Sequence, residues 1–315
     1  MDMRFIRPAI AVCTAVLLGA SAAAGAAERL PIIDAHSQAE DAIALERIVE
    51  LMDAAGVSRT ILAARRKTTV RDMVAFARRH PDRITAAVRT KGGAYQRKSP
   101  QAFRGFLAKQ MKFPEFAAMA EVLMYHAEKR NRKGKSVAPE VAFPPDHEKV
   151  AIALEAALKR GWPFVAHIEF ASVGAERDAY MAQFEAMLRA NPGHPFVLIH
   201  MGQLGPDEVA RLIAAHPNLH FIPAHTNPVT VARSREPWTN MFAGRKLSPP
   251  WRALFLRYPE RFVLGFDNVW AKHWEKLYLP QVALWREALA DLPGDVAHAV
   301  AHGNAERLWH LPPAE

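Results

Sequence analysis

Cysteine is nearly absent: the 315 residues hold one, Cys13, inside an N-terminal stretch that has the pattern of a leader. With no second thiol the chain forms no internal disulfide. Beyond that stretch it has neither a cysteine nucleophile nor a thiolate ligand for zinc. Several nucleotide and nucleophile patterns are missing as well. No G-x-G-x-x-G follows the first strand-like run, which argues against a dinucleotide-binding fold. No G-x-S-x-G supplies a nucleophilic serine elbow. No zinc-finger, RNP or basic-zipper pattern accompanies the formal charge of +9. A modest basic excess without such patterns excludes nucleic acid as the first reading and points to a basic surface or an anionic small-molecule substrate.

The leader pattern is compact. Arg4 and Arg7 precede an apolar run from Ala9 to Ala20, followed by small residues that include Ala24-Gly25-Ala26. A charged start, a short apolar core and an Ala-x-Ala site describe a secretory signal peptide. The run falls short of the roughly 20 apolar residues that span a bilayer. Residues 1–26 are therefore expected to be removed, leaving 27–315 as one exported domain, periplasmic or secreted, with no membrane attachment.

From Pro31 onward, apolar or β-branched runs alternate with helical patterns. Strands are expected at Pro31–Ala35, Arg59–Ala63, Arg83–Val88, Ala117–Leu123, Pro163–Ile168, Pro195–Ile199, Leu219–Ala224 and Arg261–Phe266. Helices are expected at Ile43–Ala54, Val70–Arg79, Pro100–Gln110, Asp146–Arg160, Glu176–Ala190, Pro206–Ala215 and Pro250–Arg257, with two more at Pro280–Ala290 and Pro293–Trp309. Parallel neighbours need a crossover, so eight strand–helix units suit a parallel sheet covered on both faces. The expected fold is α/β: a single (β/α)8 TIM barrel with extra C-terminal helices.

Most of these strands end in polar side chains. They are Asp34, His36 and Gln38; Arg65 and Arg66; Arg89 and Lys91; Glu121 and His126; His167 and Glu169; His200 and Gln203; His225 and Asn227; Asp267 and Asn268. In a barrel these ends meet at one mouth. Alternation along a strand puts Asp34, His36 and Gln38 on one face, and His167 with Glu169 on another. His80, His194, His216 and His220 fall elsewhere and read as surface or turn residues. Imidazole and carboxylate together suit zinc or another first-row divalent ion. Such an ion polarises a carbonyl and lowers the pKa of bound water to about 7.

These residues carry a resemblance. Ile32-Ile33-Asp34-Ala35-His36-Ser37-Gln38 resembles the first-strand metal motif of the amidohydrolase superfamily, closest to its amidohydrolase-2 branch, which includes aminocarboxymuconate-semialdehyde decarboxylase-like enzymes. Phe164-Val165-Ala166-His167 is similar to the strand-five histidine segment, and Ile199-His200-Met201-Gly202 to the strand-six His-x-Gly. Gly265-Phe266-Asp267 resembles the strand-eight Gly-x-Asp, and Asn304-Ala305-Glu306-Arg307-Leu308 the closing Asn-Ala-x-Arg-Leu helix. The resemblance implies a divalent metal, zinc by expectation, held by His36, His167 and Asp267, with His200 as ligand or acid/base and Asp267 or His200 moving the proton. Gln38 departs from the usual second histidine, and an amide oxygen is the poorer donor. Glu121 and Glu169 are the candidates for a replacement donor, though the sequence does not place either.

Arg65, Arg89, Glu121 and His225 are the expected substrate contacts, the arginines because guanidinium pairs with carboxylate bidentately. Lys129-Arg130-Asn131-Arg132-Lys133-Gly134-Lys135 reads as an exposed loop, and Trp270 and Trp274 read as packing residues, with lining or covering the mouth as the alternative. Three activities stay open: a metal-dependent hydrolase of an amide, ester or lactone in a small acidic molecule, a non-oxidative decarboxylase of the same branch, and a non-catalytic binding protein on a decayed barrel, which Gln38 would favour.

Overall fold

Strand β1, Ile32–Ala39, is buried along its whole length, as a strand covered on both faces must be. The computed structural model describes residues 30–130 and 133–314. The expected leader, its cleavage site and Cys13 lie outside the described residues, as do Asn131 and Arg132 of the cationic run. Strands β2 (Val57–Ala64) and β3 (Ile84–Val88) continue the first parallel half-sheet. Strand β4 is broken, Phe116–Met119 pairing with β3 and Val122–His126 pairing with β5 (Phe164–Ile168). Strands β6 (Phe196–Ile199) and β7 (Leu219–Ile222) complete the second half.

Residues 262–268 form the eighth segment and close the ring without a regular ladder. Val263 N–H donates to Phe221 O at 2.9 Å on one side; on the other, Ala35 N–H reaches Leu264 O at 3.0 Å and Asp267 N–H reaches His36 O at 2.8 Å. The helices α1 (Leu45–Ala55), α2 (Val70–Arg79), α3 (Pro100–Gln110), α4 (Glu148–Arg160), α5 (Arg177–Ala190), α6 (Pro206–Ala215), α7 (Pro249–Arg257) and α8 (Tyr278–Ala290) fall close to their expected spans. Their ends follow familiar capping chemistry. Thr69 and Asp72 form a reciprocal capping box on α2, Pro100 opens α3 after the Ser99 cap, and left-handed Gly161 terminates α4. The last expected helix, Pro293–Trp309, is interrupted: Gly294–His298 and Asn304–Trp309 flank a π-turn over Ala299–Gly303. Asn304 donates to Pro259 O and Phe262 O, which fastens this element to the start of the eighth segment.

Two cores result. Ile33, Ala35, Ile61, Ala63, Ala87, Ala118, Val165, Val197, Ile199, Ile222 and Val263 fill the barrel interior, and Leu308 and Trp309 pack against them. A larger cluster lies between strands and helices. No helix among the described residues is long and apolar enough to cross a membrane.

Two expectations need correction. His216 and His220 are buried, not superficial. His216 pairs with Glu185, and His220 shares the parity of Ile222 and Ala224, which face the barrel interior. Nor do Asp34, His36 and Gln38 share a face. A bulge sets three steps of β1, Asp34 to Ser37, against two of β2, Thr60 to Leu62. One extra residue inverts the alternation. Ile33 and Ala35 therefore face inward below the bulge and His36 and Gln38 above it, while Asp34 turns aside to accept from Ser37 Oγ at 2.6 Å and Phe266 N–H at 2.9 Å.

Candidate metal centre at the barrel mouth

Left-handed turns at the strand ends set the site. His200, Met201, Gly202 and Gln203 all have φ between 56° and 63°, directly after β6. His225 and Asp267 are left-handed too, at 58° and 45°. Such conformations cost non-glycine residues of order 1 kcal/mol each and cluster where a site needs a side chain held off the strand direction. Here they stand where the imidazoles and carboxylate meet.

The centre is buried and polar. His36 Nε2 lies 3.4 Å from Glu121 Oε1 and 3.5 Å from Asp267 Oδ1. His200 Nε2 lies 3.5 Å from Asp267 Oδ2, and His225 Nδ1 3.9 Å from the same oxygen. His167 Nδ1 faces Glu121 Oε2 at 2.5 Å, and its Nε2 faces Glu169 Oε1 at 3.1 Å. Four overlapping ligand sets follow among the described residues: His36–Glu121–Asp267, Glu121–His167–His200, His200–His225–Asp267 and, toward the outside, His126–His167–Glu169. The donors fit a divalent ion. His36 Nε2 is buried with no hydrogen-bond partner, and its separations from the two carboxylates match the roughly 3.4 Å edge between donors about 2.1 Å from a tetrahedral ion. His36, His167, His200, Glu121 and Asp267 would hold it.

Gln38 is held by the same carboxylates, its amide nitrogen donating to Glu121 Oε1 at 3.3 Å and Asp267 Oδ1 at 3.0 Å. The amide oxygen would have to turn inward to serve as a ligand. Glu121, expected to contact substrate, is fully buried within the cluster and fills the donor gap beside Gln38. Glu169 is already committed, accepting from Ala127 N–H and from both contacts of Lys129 Nζ at 2.7 Å.

The electrostatics follow from burial against neighbours. Burial pushes Glu121 upward, but Lys91 and His167 more than offset it and hold the carboxyl well below its usual range. Burial works against protonated His167, yet Glu121 and Glu169 raise it to about 9. His200 is pushed down to about 3 by burial and by its His167 and His225 neighbours, and so stays neutral. His200 Nδ1 faces Ala224 O at 3.0 Å, so Nδ1 carries the hydrogen and Nε2 keeps its lone pair toward Asp267.

The cluster forms the floor of a cavity of about 490 Å³. Arg65, Arg66, Arg89 and Lys91 line one side of it. Arg65 and Arg66 both pair with Glu40, and the Arg65 guanidinium lies 3.8 Å from the Trp270 ring centroid. His225, Trp238 and His273 contribute aromatic surface, with Trp238 4.8 Å from His200. Trp274 is fully buried and donates to Gln38 O at 2.9 Å. Lys129 is not part of an exposed loop: it reaches into the mouth to Glu169 and Glu236. Lys129, Glu236, Trp238 and His273 were not among the expected site residues. Only the position of Lys129, three residues past the fourth-strand His126, offered a signal.

A parallel barrel with imidazoles and carboxylates converging at the C-terminal ends of its strands defines a metal-competent enzyme of the (β/α)8 class. The family model described as Amidohydrolase, of the amidohydrolase-2 branch, matches residues 13–311, and the chain belongs to that family. No curated protein matches it. Among solved structures it is similar to 5-carboxyvanillate decarboxylase from Sphingomonas paucimobilis, at 13% identity over 90% of this chain and 100% of that one, with a TM-score of 0.56. It is also similar to an uncharacterised TIM-barrel protein from Bordetella bronchiseptica, at 15% identity over 89% of this chain and 99% of that one, TM-score 0.57. A third likeness is to the phosphotriesterase homology protein from Escherichia coli with phosphate in its active site, at 13% identity over 90% and 99%, TM-score 0.54. These likenesses establish the fold.

Proposed function

We propose that this chain is an exported, zinc-dependent hydrolase that opens an amide, ester or lactone in a small anionic molecule. The observation that carries the reading is the orphaned His36 Nε2, facing the Glu121 and Asp267 carboxylates at the floor of a cavity walled by cations. When bound, the ion supplies Lewis acidity toward a carbonyl and acidifies a water. The chain's own residues do the rest. Arg65, Arg66 and Arg89 hold the anionic end of the substrate, and Trp270 supports Arg65 from below. Asp267 takes the proton that water gives up on attack. Neutral His200 stands 3.5 Å away, its Nε2 lone pair available to share that proton before it reaches the leaving group.

Lys91 favours a second reading. Its ammonium pairs directly with Glu121, so a cation stands at the reacting centre as well as at the rim. That arrangement suits a carboxylate bonded to the reacting carbon, and a decarboxylase would then use His200 as proton carrier. One assay separates the two. Chelated protein is reloaded with zinc and incubated with esters, lactones, amides and carboxylated aromatics, while acid release and carbon dioxide are both followed. Acid release without carbon dioxide supports hydrolysis. Carbon dioxide release transfers the assignment to the second reading, and no turnover of any class overturns both.

Export rests on the charged, apolar and Ala-x-Ala pattern of residues 1–26. Mass spectrometry of protein from the periplasm or medium should give an N-terminus between residues 22 and 29. An intact Met1 in that fraction would refute it.

A further inference from the structure

Lys129 spends all three of its ammonium hydrogens inside the protein. Its Nζ lies 2.7 Å from both oxygens of Glu169 and 2.7 Å from Glu236 Oε2. It therefore differs from the arginines of the rim, because no donor is left for a substrate anion.

What Lys129 touches gives it a different role. Glu169 is fully buried, and its Oε1 accepts from His167 Nε2 at 3.1 Å, the ring nitrogen turned away from Glu121. A histidine that presents one nitrogen to a metal site is oriented by the acceptor on its other nitrogen. Glu169 is that acceptor, and Lys129 is the ammonium in contact with it. On the outer side, Glu236 belongs to a turn in which Ser234 Oγ accepts from both Glu236 N–H and Trp238 Nε1. Lys129 Nζ also lies 5.2 Å from the Trp238 ring. Lys129 itself starts the short antiparallel pair Lys129–Arg130 and Ser136–Ala138, whose second strand lines the cavity.

We propose that Lys129 is a positioning residue: acting through Glu169, it fixes the His167 ring so that Nδ1 faces the metal centre, and it ties that ring to the turn of Ser234, Glu236 and Trp238 that lines the mouth. This rests on the metal-dependent reading of the site. Glu236 secures the outer turn and is dispensable for the ring. Removing Lys129 leaves Glu169 held only by Ala127 N–H and the His167 ring, so the carboxylate and then the imidazole should reorient.

Two readouts test this on the mature protein. One is zinc titration by calorimetry after chelation; the other is the two-bond 1H–15N spectrum of the His167 ring in metal-free protein. Lys129→Met should shift the His167 ring signals and weaken zinc binding by about 10- to 100-fold, the range for loss of such a partner. Lys129→Arg should restore both. Glu236→Gln should leave both within about twofold while speeding amide exchange at residues 234–238. If Lys129→Met does not fold, Glu169→Gln carries the same expectations. A folded Lys129→Met or Glu169→Gln with unchanged ring signals overturns the proposal. So does a Glu236→Gln effect as large as that of Lys129→Met. If wild type binds no zinc but the ring signals respond as expected, the metal reading falls and the positioning role stands.

Discussion

The Gln38 side-chain amide donates to Asp267 Oδ1 at 3.0 Å, across the seam where the first and eighth segments meet, and to Glu121 Oε1 at 3.3 Å, at the break in β4. The same two carboxylate oxygens face His36 Nε2. Gln38 thus stands beside the metal-competent face as a hydrogen-bond donor, where a histidine would bring a ligand nitrogen. A divalent ion and the amide compete for these oxygens.

Replacing Gln38 with histidine should therefore tighten zinc binding by about tenfold, equivalent to about 1.4 kcal/mol. Asp267→Asn should weaken it by more than that, because it removes a carboxylate shared by two ligand sets. Calorimetric titration of chelated wild type and both variants reads the order directly. An affinity for Gln38→His at or below that of wild type would show that the amide does not obstruct the ion.

Glu40 organises the cationic rim from behind. It pairs with Arg65 at 3.1 Å and Arg66 at 3.0 Å, and its second oxygen accepts from Ala271 N–H at 2.9 Å. Glu40→Gln keeps the shape and removes the charge. Because Arg66 is exposed and Arg65 partly so, the cost should be modest, about 1–2 kcal/mol in urea unfolding. A loss below about 0.5 kcal/mol would mean the arginines hold their places without it.

The barrel and the residues at its mouth were legible because both rest on local signals. Apolar runs such as Phe196–Ile199 mark buried strands, and polar residues at their C-terminal ends mark the mouth. The β1 bulge was not legible, since its register depends on pairing with Thr60 and Leu62 rather than on the order of residues in β1. The inward turn of Lys129 is hidden for a similar reason. A run of cations looks solvated, and only the return of Glu169 and Glu236 from distant elements makes one of them internal. The π-turn at Ala299–Gly303 likewise breaks a helix whose periodic pattern gives no warning.

His220 gives a pH dependence apart from the metal centre. Burial, with Arg261 and Arg307 nearby, depresses its pKa from 6.5 to about 4, and its Nδ1 has no hydrogen-bond partner. The folded state therefore binds fewer protons than the unfolded one between these values. Its contribution is complete above pH 6.5 and is lost as pH falls toward 4, by an amount of order 3 kcal/mol. Urea unfolding at pH 7.5, 5.5 and 4.5 should show a smaller acid loss in His220→Leu than in wild type. Parallel losses in the two proteins would locate the acid sensitivity elsewhere.

Gly265 and Gly105 should respond to alanine with opposite signs. A Cβ on Gly265 would lie 2.9 Å from Ile222 Cγ2 and 3.3 Å from the backbone nitrogen of His36. The eighth segment approaches β1 this closely because no side chain intervenes, and the seam hydrogen bonds from Ala35 and Asp267 depend on that approach. Overpacking of this kind costs about 1–3 kcal/mol. The strain would fall on the His36 backbone, so zinc affinity should decline together with stability. Gly105 lies inside α3, and a Cβ there meets nothing within 4 Å. Gly105→Ala should raise stability by roughly 0.5–1 kcal/mol through helix propensity alone and leave zinc binding unchanged. Denaturant midpoints and zinc titrations of both variants test the pair. If Gly265→Ala unfolds and binds zinc like wild type, the seam is looser than these contacts imply, and the position of His36 is set by β1 and β2 alone.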